Sequence, residues 1–129
     1  MDFPKELKYS KDHEWVRIVG DTATVGITDY AQHALGDIVY VELPKVGADL
    51  SAGKGAAVVE SVKSVSDVFA PLSGKVTEIN PVVSDKPELI NQSPYGAGWM
   101  FKIKAKDNSE AGRLMGPQEY EKFVSELKK

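Results

Sequence analysis

In VVESVKSVSDVFAPLSGKV, residues 58–76, Lys63 stands alone between two runs of strand-forming residues. Its amine is a nucleophile once deprotonated. Its long stem makes it suited to carry a swinging group through an amide bond. The segment Pro71-Leu72-Ser73-Gly74 suits a type I turn, with Pro second and Gly fourth. The bend at Val62-Lys63 has no Gly, Asn, Asp or Pro, the residues that hairpin tips favour. Places where local rules fail are often functional. Ser61, Ser64 and Ser66 are small and leave the backbone open to a modifying enzyme. A solvent-exposed lysine that only keeps a hairpin soluble fits the same residues.

Other chemistry is sparse. Cysteine is absent, which excludes disulfides, thiolate metal sites and cysteine nucleophiles. The two histidines, His13 and His33, have no HxxxH or HExxH context, so they read as ordinary surface or half-buried side chains. Gly53-Lys54-Gly55 and Gly74-Lys75 lack the full phosphate-loop spacing and read as turns. Ser73 lacks the glycine two residues before it that a nucleophile elbow requires. Glu60 and Asp67 could form an acid–base pair, but acids flanking a surface turn are usually solvated. If this chain takes part in chemistry, a group added to it would supply that chemistry.

The elements that position Lys63 follow from pattern. His13–Val19 and Thr22–Ile27 flank Gly20-Asp21, a hairpin signal. Thr28 caps a short helix over Asp29–Leu35, and Gly36 stops it. Asp37–Leu43 carries apolar residues on both faces, which predicts a mostly buried strand. Ala48–Gly55 reads as a loop. Strands follow over Ala56–Ser61, Val65–Ala70 and Lys75–Asn80. Residues 81–97 read as irregular, with a short turn near Pro87–Ile90. Gly98–Lys104 is a final strand, with Trp99, Phe101 and Ile103 on one face. Two helices follow, Ser109–Met115 and Gln118–Lys129. In the second, Tyr120, Phe123, Val124 and Leu127 form a narrow apolar stripe that packs on the sheet. Asp37-Ile38-Val39 and Asp67-Val68-Phe69 hint at a half-repeat.

The 129 residues fit one domain, with strands over about 13–104 and a helical segment over about 109–129. With 42% apolar and 27% charged residues, a real core is expected. The net charge of -3 and the scattered basic residues argue against a nucleic-acid partner. No apolar run approaches a membrane span. The start, MDFPKELKYSKDHEW, shows neither a signal nor a transit peptide, so a bacterial-type cytoplasmic protein is expected. A trimmed chain from a mitochondrial matrix would look similar.

Val59-Glu60-Ser61-Val62-Lys63-Ser64-Val65-Ser66-Asp67, followed by Ala70-Pro71-Leu72-Ser73-Gly74, resembles the lipoylation segment of the glycine cleavage system H proteins. His13-Glu14-Trp15, Val25-Gly26-Ile27-Thr28, Leu35-Gly36-Asp37 and Val41-Glu42-Leu43-Pro44 are similar to the same family. So are Pro87-Glu88-Leu89-Ile90-Asn91, Pro94-Tyr95 and Gly98-Trp99. The order and spacing hold from about Leu7 to the C-terminal helix. Biotinyl domains place methionines on both sides of the lysine, where Val62 and Ser64 stand here. Lipoyl domains of 2-oxoacid dehydrogenases carry an acidic residue in place of Val62. Ser64 departs from the alanine common in the family, and serine is similarly small.

The resemblance implies a mainly β fold, a lipoyl/biotinyl-type β-sandwich or flattened barrel hybrid with added C-terminal helices and the modified lysine on a β-hairpin. It implies lipoate on Lys63, with Glu60, Ser61, Val62 and Ser64 recognised around the hairpin. It implies a carrier and not an enzyme. The expected partners are the pyridoxal-phosphate glycine decarboxylase (P protein), the tetrahydrofolate-dependent aminomethyltransferase (T protein), dihydrolipoyl dehydrogenase (L protein) and lipoate-attachment enzymes. A monomer is expected. Glu14 and Asp67 are candidates to hold the ammonium end of a loaded arm, against the alternative that both are solvated surface acids. Two other roles fit the same residues: a lipoyl or octanoyl relay to other proteins, and an interaction module with an unmodified lysine.

Overall fold

The hairpin around Gly20-Asp21 forms as its pattern requires. In the computed structural model, which describes residues 1–127, β2 (Glu14–Val19) pairs antiparallel with β3 (Thr22–Ile27), Val19 opposite Thr22 and Glu14 opposite Ile27. The strand starts at Glu14 because His13 has a φ of 72°, outside the strand region. A two-residue strand, β1 (Lys8–Tyr9), pairs with β2 on its outer edge. Helix α1 (Asp29–Leu35) begins at Thr28, whose side chain accepts the Ala31 N–H at 3.1 Å. It ends at Gly36, where a φ of 82° suits a residue without Cβ.

The remaining strands are β4 (Ile38–Glu42), β5 (Asp49–Leu50), β6 (Gly55–Ser61), β7 (Val65–Phe69), β8 (Gly74–Ile79) and β9 (Phe101–Ala105). Two sheets result. One has six strands in the order β1-β2-β3-β9-β8-β5, the other three in the order β4-β6-β7. Their inner faces share one core. Val16, Val25, Val76, Phe101 and Ile103 come from the larger sheet, and Ile38, Val41, Val59 and Val68 from the smaller. Each such buried side chain stabilises the fold by about 1.5–3 kcal/mol. The two halves of the sequence half-repeat lie on β4 and β7, the edge strands on either side of β6, with Ile38 and Val68 both buried. This is a mainly β sandwich with added helices.

A second apolar cluster lies on the other face of the larger sheet, where Leu7, Tyr9 and Trp15 meet Tyr120 and Val124 of α4 (Pro117–Leu127). Tyr9 and Tyr120 stack at 4.7 Å. Trp15 is fully buried beside Gly26, its cross-strand partner, and its indole N–H donates to the Pro94 carbonyl at 2.8 Å. The C-terminal stripe therefore packs through Tyr120 and Val124, while Leu127 is left exposed.

β4 is not mostly buried: Val39 and Tyr40 face outward, because a bulge between Ile38 and Tyr40 disturbs the pairing and no element among the described residues covers that face. The 48–55 loop contains β5. Residues 81–97 contain two short helices, α2 (Val82–Asp85) and α3 (Glu88–Gln92). The segment read as a helix over Ser109–Met115 is a 3-10 helix, Asn108–Arg113. The last two residues of the helix expected to reach Lys129 lie outside the described residues.

Candidate functional site

The hairpin between β6 and β7 turns through Ser61-Val62-Lys63-Ser64. The Ser61 N–H donates to the Ser64 carbonyl at 2.8 Å, which closes the turn. The Ser61 hydroxyl accepts the N–H groups of Lys63 and Ser64, each at 3.1 Å, and lies 3.3 Å from the Ser64 carbonyl. Ser61 thus supplies the turn chemistry that Gly or Asn usually provides, through a side chain that mimics a backbone turn. Neither Val62 nor Lys63 needs a positive φ; His13 is the one such non-glycine among the described residues.

The tip is also tied to the body. The Val62 N–H donates to the Asp37 carbonyl at 3.0 Å. Lys63 is exposed, and its stem passes over Gly36: a Cβ there would stand 3.5 Å from the Lys63 Cε. Val62 and Val65, 67% and 64% exposed, flank the lysine with apolar surface. Glu60 pairs with Val65 and with Tyr40 across the outer face of the small sheet. A neutral acyl-lysine can lie on such a surface without the desolvation penalty of an ammonium.

Glu14 does not fit the alternative of a solvated surface acid. It is 1% exposed, on the inner-face side of β2. Its two oxygens accept the Ser10 hydroxyl at 2.6 Å and the Phe69 N–H at 3.2 Å, so it bridges the larger sheet to the free edge of β7. Burial pushes its pKa up to about 7 from the ordinary 4.5, and the two hydrogen bonds only partly oppose this. Glu14 also lines a groove of about 500 Å³ with Ser10, Asp12, Ala70, Pro71 and Phe123. Lys11 and Arg113 stand on the same rim. Phe69 lies four residues beyond Val65, about 13 Å along the strand. Asp67 is exposed, as the alternative reading had it, and lines a separate shallow depression with Glu42 and Val58. The fold does not bring Glu14 and Asp67 into one depression.

His13 is half-buried, and His33 is exposed. The His13 Nδ1 lies 2.8 Å from the Tyr120 hydroxyl, which lies 2.7 Å from Thr28 Oγ1. Burial lowers the His13 pKa from 6.5. This chain of polar contacts fastens α4 to the start of α1 beside Glu14. Nothing local in the sequence joins residues 13, 28 and 120. Among the described residues no group of three or more acids and histidines could hold a metal. No described helix is long and apolar enough to cross a membrane.

Comparison with known proteins bears directly on this arrangement. A family model described as "Glycine cleavage H-protein" matches residues 7–127. This chain belongs to the glycine cleavage H-protein family. The match takes in both sheets, the Lys63 hairpin, Glu14 and α4. Curated relatives named glycine cleavage system H protein include one from Thermoanaerobacter sp. strain X514, 56% identical over 126 residues, which cover 98% of this chain and 99% of the relative. One from Escherichia coli O7:K1 is 55% identical over 124 residues, 95% of this chain and 96% of the relative. One from Carboxydothermus hydrogenoformans is 51% identical over 123 residues, 95% of each. The crystal structure of a glycine cleavage system H protein from Mycobacterium marinum superposes with a TM-score of 0.84 at 43% identity, covering 91% of this chain and 94% of that one.

Proposed function

We propose that Lys63 carries lipoate through an amide and that the chain shuttles the aminomethyl group of glycine between the enzymes of the glycine cleavage system. The loading enzyme would be the pyridoxal-phosphate decarboxylase and the receiving enzyme the tetrahydrofolate-dependent aminomethyltransferase. Dihydrolipoyl dehydrogenase would reoxidise the dithiol, and lipoate-attachment enzymes would act first. The observation that carries this reading is the presentation of Lys63: exposed, on a turn closed by Ser61, tethered at Val62, with its stem over a glycine. The bound group would supply a dithiolane able to accept and release a one-carbon amine.

The chain's own residues would do the rest. Val62, Val65 and Gly36 offer apolar and open surface to the neutral arm. Glu14, when ionised, would make a charge-assisted hydrogen bond to an ammonium at the arm's end. The groove around it would limit the access of water to that end. Asp67 and Glu60 would contribute acidic surface near the hairpin, and partner association there would weaken with salt. A carrier that serves several enzymes must release each one readily.

The test is intact mass with peptide mapping on protein from a host able to attach lipoate, followed by reconstitution with glycine decarboxylase. A lipoyl increment on Lys63 and release of carbon dioxide from glycine are expected. An unmodified Lys63 would sink the reading. A modified chain that does not support decarboxylation would redirect it to a relay role.

A further inference from the structure

Asn91 lies on α3, distant in sequence from the hairpin, yet its side chain is fully engaged close to it. Its Oδ1 accepts the Ile38 N–H at 2.9 Å. Its Nδ2 donates to the Gly36 carbonyl at 2.9 Å and to Gln32 Oε1 at 3.0 Å. Gly36 and Ile38 are the neighbours of Asp37, and the Asp37 carbonyl receives the Val62 N–H. Asn91 therefore grips both sides of the group that tethers the hairpin tip.

Resting on the reading of Lys63 as the acylated residue, we propose that Asn91 is a positioning residue for that acylation. It fixes Asp37, Asp37 fixes Val62, and the Lys63 amine is presented over Gly36 in a narrow range of orientations. Val62 and Lys63 lie beyond Ser61, which still pairs with Ile38 of β4 and bonds to Ser64, and a hairpin tip that projects past the ladder frays readily. Lysine has many rotamers of its own, so a moving backbone would spread its amine over a wide volume. Attack on an acyl group needs the amine at contact distance and in line. In the reaction, Nζ bonds to the carboxyl carbon of lipoate activated as an acyl-adenylate. AMP leaves with the bonding electron pair, and Nζ loses its proton. Asn91 touches none of these atoms.

The test uses the full unmodified chain with a purified lipoate–protein ligase, saturating lipoate and ATP, and the chain concentration varied. In Asn91→Ala, exchange of the Val62 amide should rise about tenfold, the effect of one net hydrogen bond. The KM for the chain should rise several-fold with little change in kcat. Reaction of Lys63 with a small acylating reagent, N-hydroxysuccinimidyl acetate, should be unchanged, since the amine stays exposed. Val62→Pro removes the same tether from its other end, at a turn position that suits proline. Adding Asn91→Ala to Val62→Pro should therefore cost no further acylation. Asn91→Asp keeps an acceptor for the Ile38 N–H and loses both donors, and it should shift the same quantities if the alanine variant folds poorly. Additive losses in the double variant overturn the proposal. So does a wild-type KM in Asn91→Ala, or an unchanged Val62 exchange rate. A wild-type chain that the ligase does not acylate would instead overturn the reading of Lys63 itself.

Discussion

The Ser61 hydroxyl accepts the backbone N–H of Lys63 at 3.1 Å. The same oxygen accepts the Ser64 N–H, so one small side chain satisfies two amides at the tip of the hairpin. Ser61→Ala should speed hydrogen exchange at Lys63 and Ser64 and cost about 1 kcal/mol in denaturant unfolding. Ser61→Thr keeps the hydroxyl and should restore both. Exchange at those two amides that is unchanged in the alanine variant would show that the turn is held by other means.

Lys63→Arg keeps the positive charge at an exposed position and removes the amine that acylation requires. Its stability should match that of the parent chain within about 0.5 kcal/mol, as for other surface exchanges. Its intact mass should lack any lipoyl increment in a host that modifies the parent. An increment that persists in the arginine variant would place the acyl group on another residue.

Gly26→Ala would place a Cβ 2.7 Å from Nε1 of the Trp15 indole. The indole cannot give way easily, because it is fully buried and its N–H is bound to Pro94. Overpacking of this kind costs about 1–3 kcal/mol or more. The variant should melt earlier, with a red-shifted tryptophan emission as the ring moves toward water. An unshifted melting temperature would mean that the second apolar cluster is looser than its packing indicates.

Much of this was legible in the sequence, and the reasons differ by residue. Thr28 and Gly36 bound α1 as read, since capping and a positive φ are local matters of one side chain or none. The β2–β3 hairpin followed from Gly20-Asp21 for the same reason. Ser61 was visible as a small residue, but its turn-making role required reading the serine as the acceptor for the amides that follow it. Val39 and Tyr40 were misjudged because apolar residues on both faces do not reveal whether anything covers the outer one. β1, β5 and α2 are too short to show a period. Glu14 was legible only as a candidate for the arm and Asn91 only as part of a motif, since the burial of the one and the grip of the other depend on segments distant in sequence: β7 and the Gly36–Ile38 corner.

Glu14 should make both stability and arm retention depend on pH. Its carboxyl binds a proton more tightly in the native chain, near pH 7, than in the unfolded chain, near 4.5. Between these values the native state holds more protons, so this group's stabilising contribution, fully present below pH 4.5, is lost as pH rises through 7. The size is about 3 to 4 kcal/mol at most, at about 1.4 kcal/mol for each pH unit between 4.5 and 7. His13 has the opposite sign below its ordinary 6.5, because burial lowers it. The comparison must therefore be with Glu14→Ala, whose stability should lack the downward contribution that Glu14 makes between pH 4.5 and 7. Ionised Glu14 is also the form that can hold an ammonium. In the aminomethyl-loaded chain, Glu14→Ala should release ammonia faster than the parent above pH 7, and the ratio of the two rates should fall toward one below it. A ratio that stays flat across that range would mean that the ammonium does not rest on Glu14, whatever the carboxyl contributes to the fold.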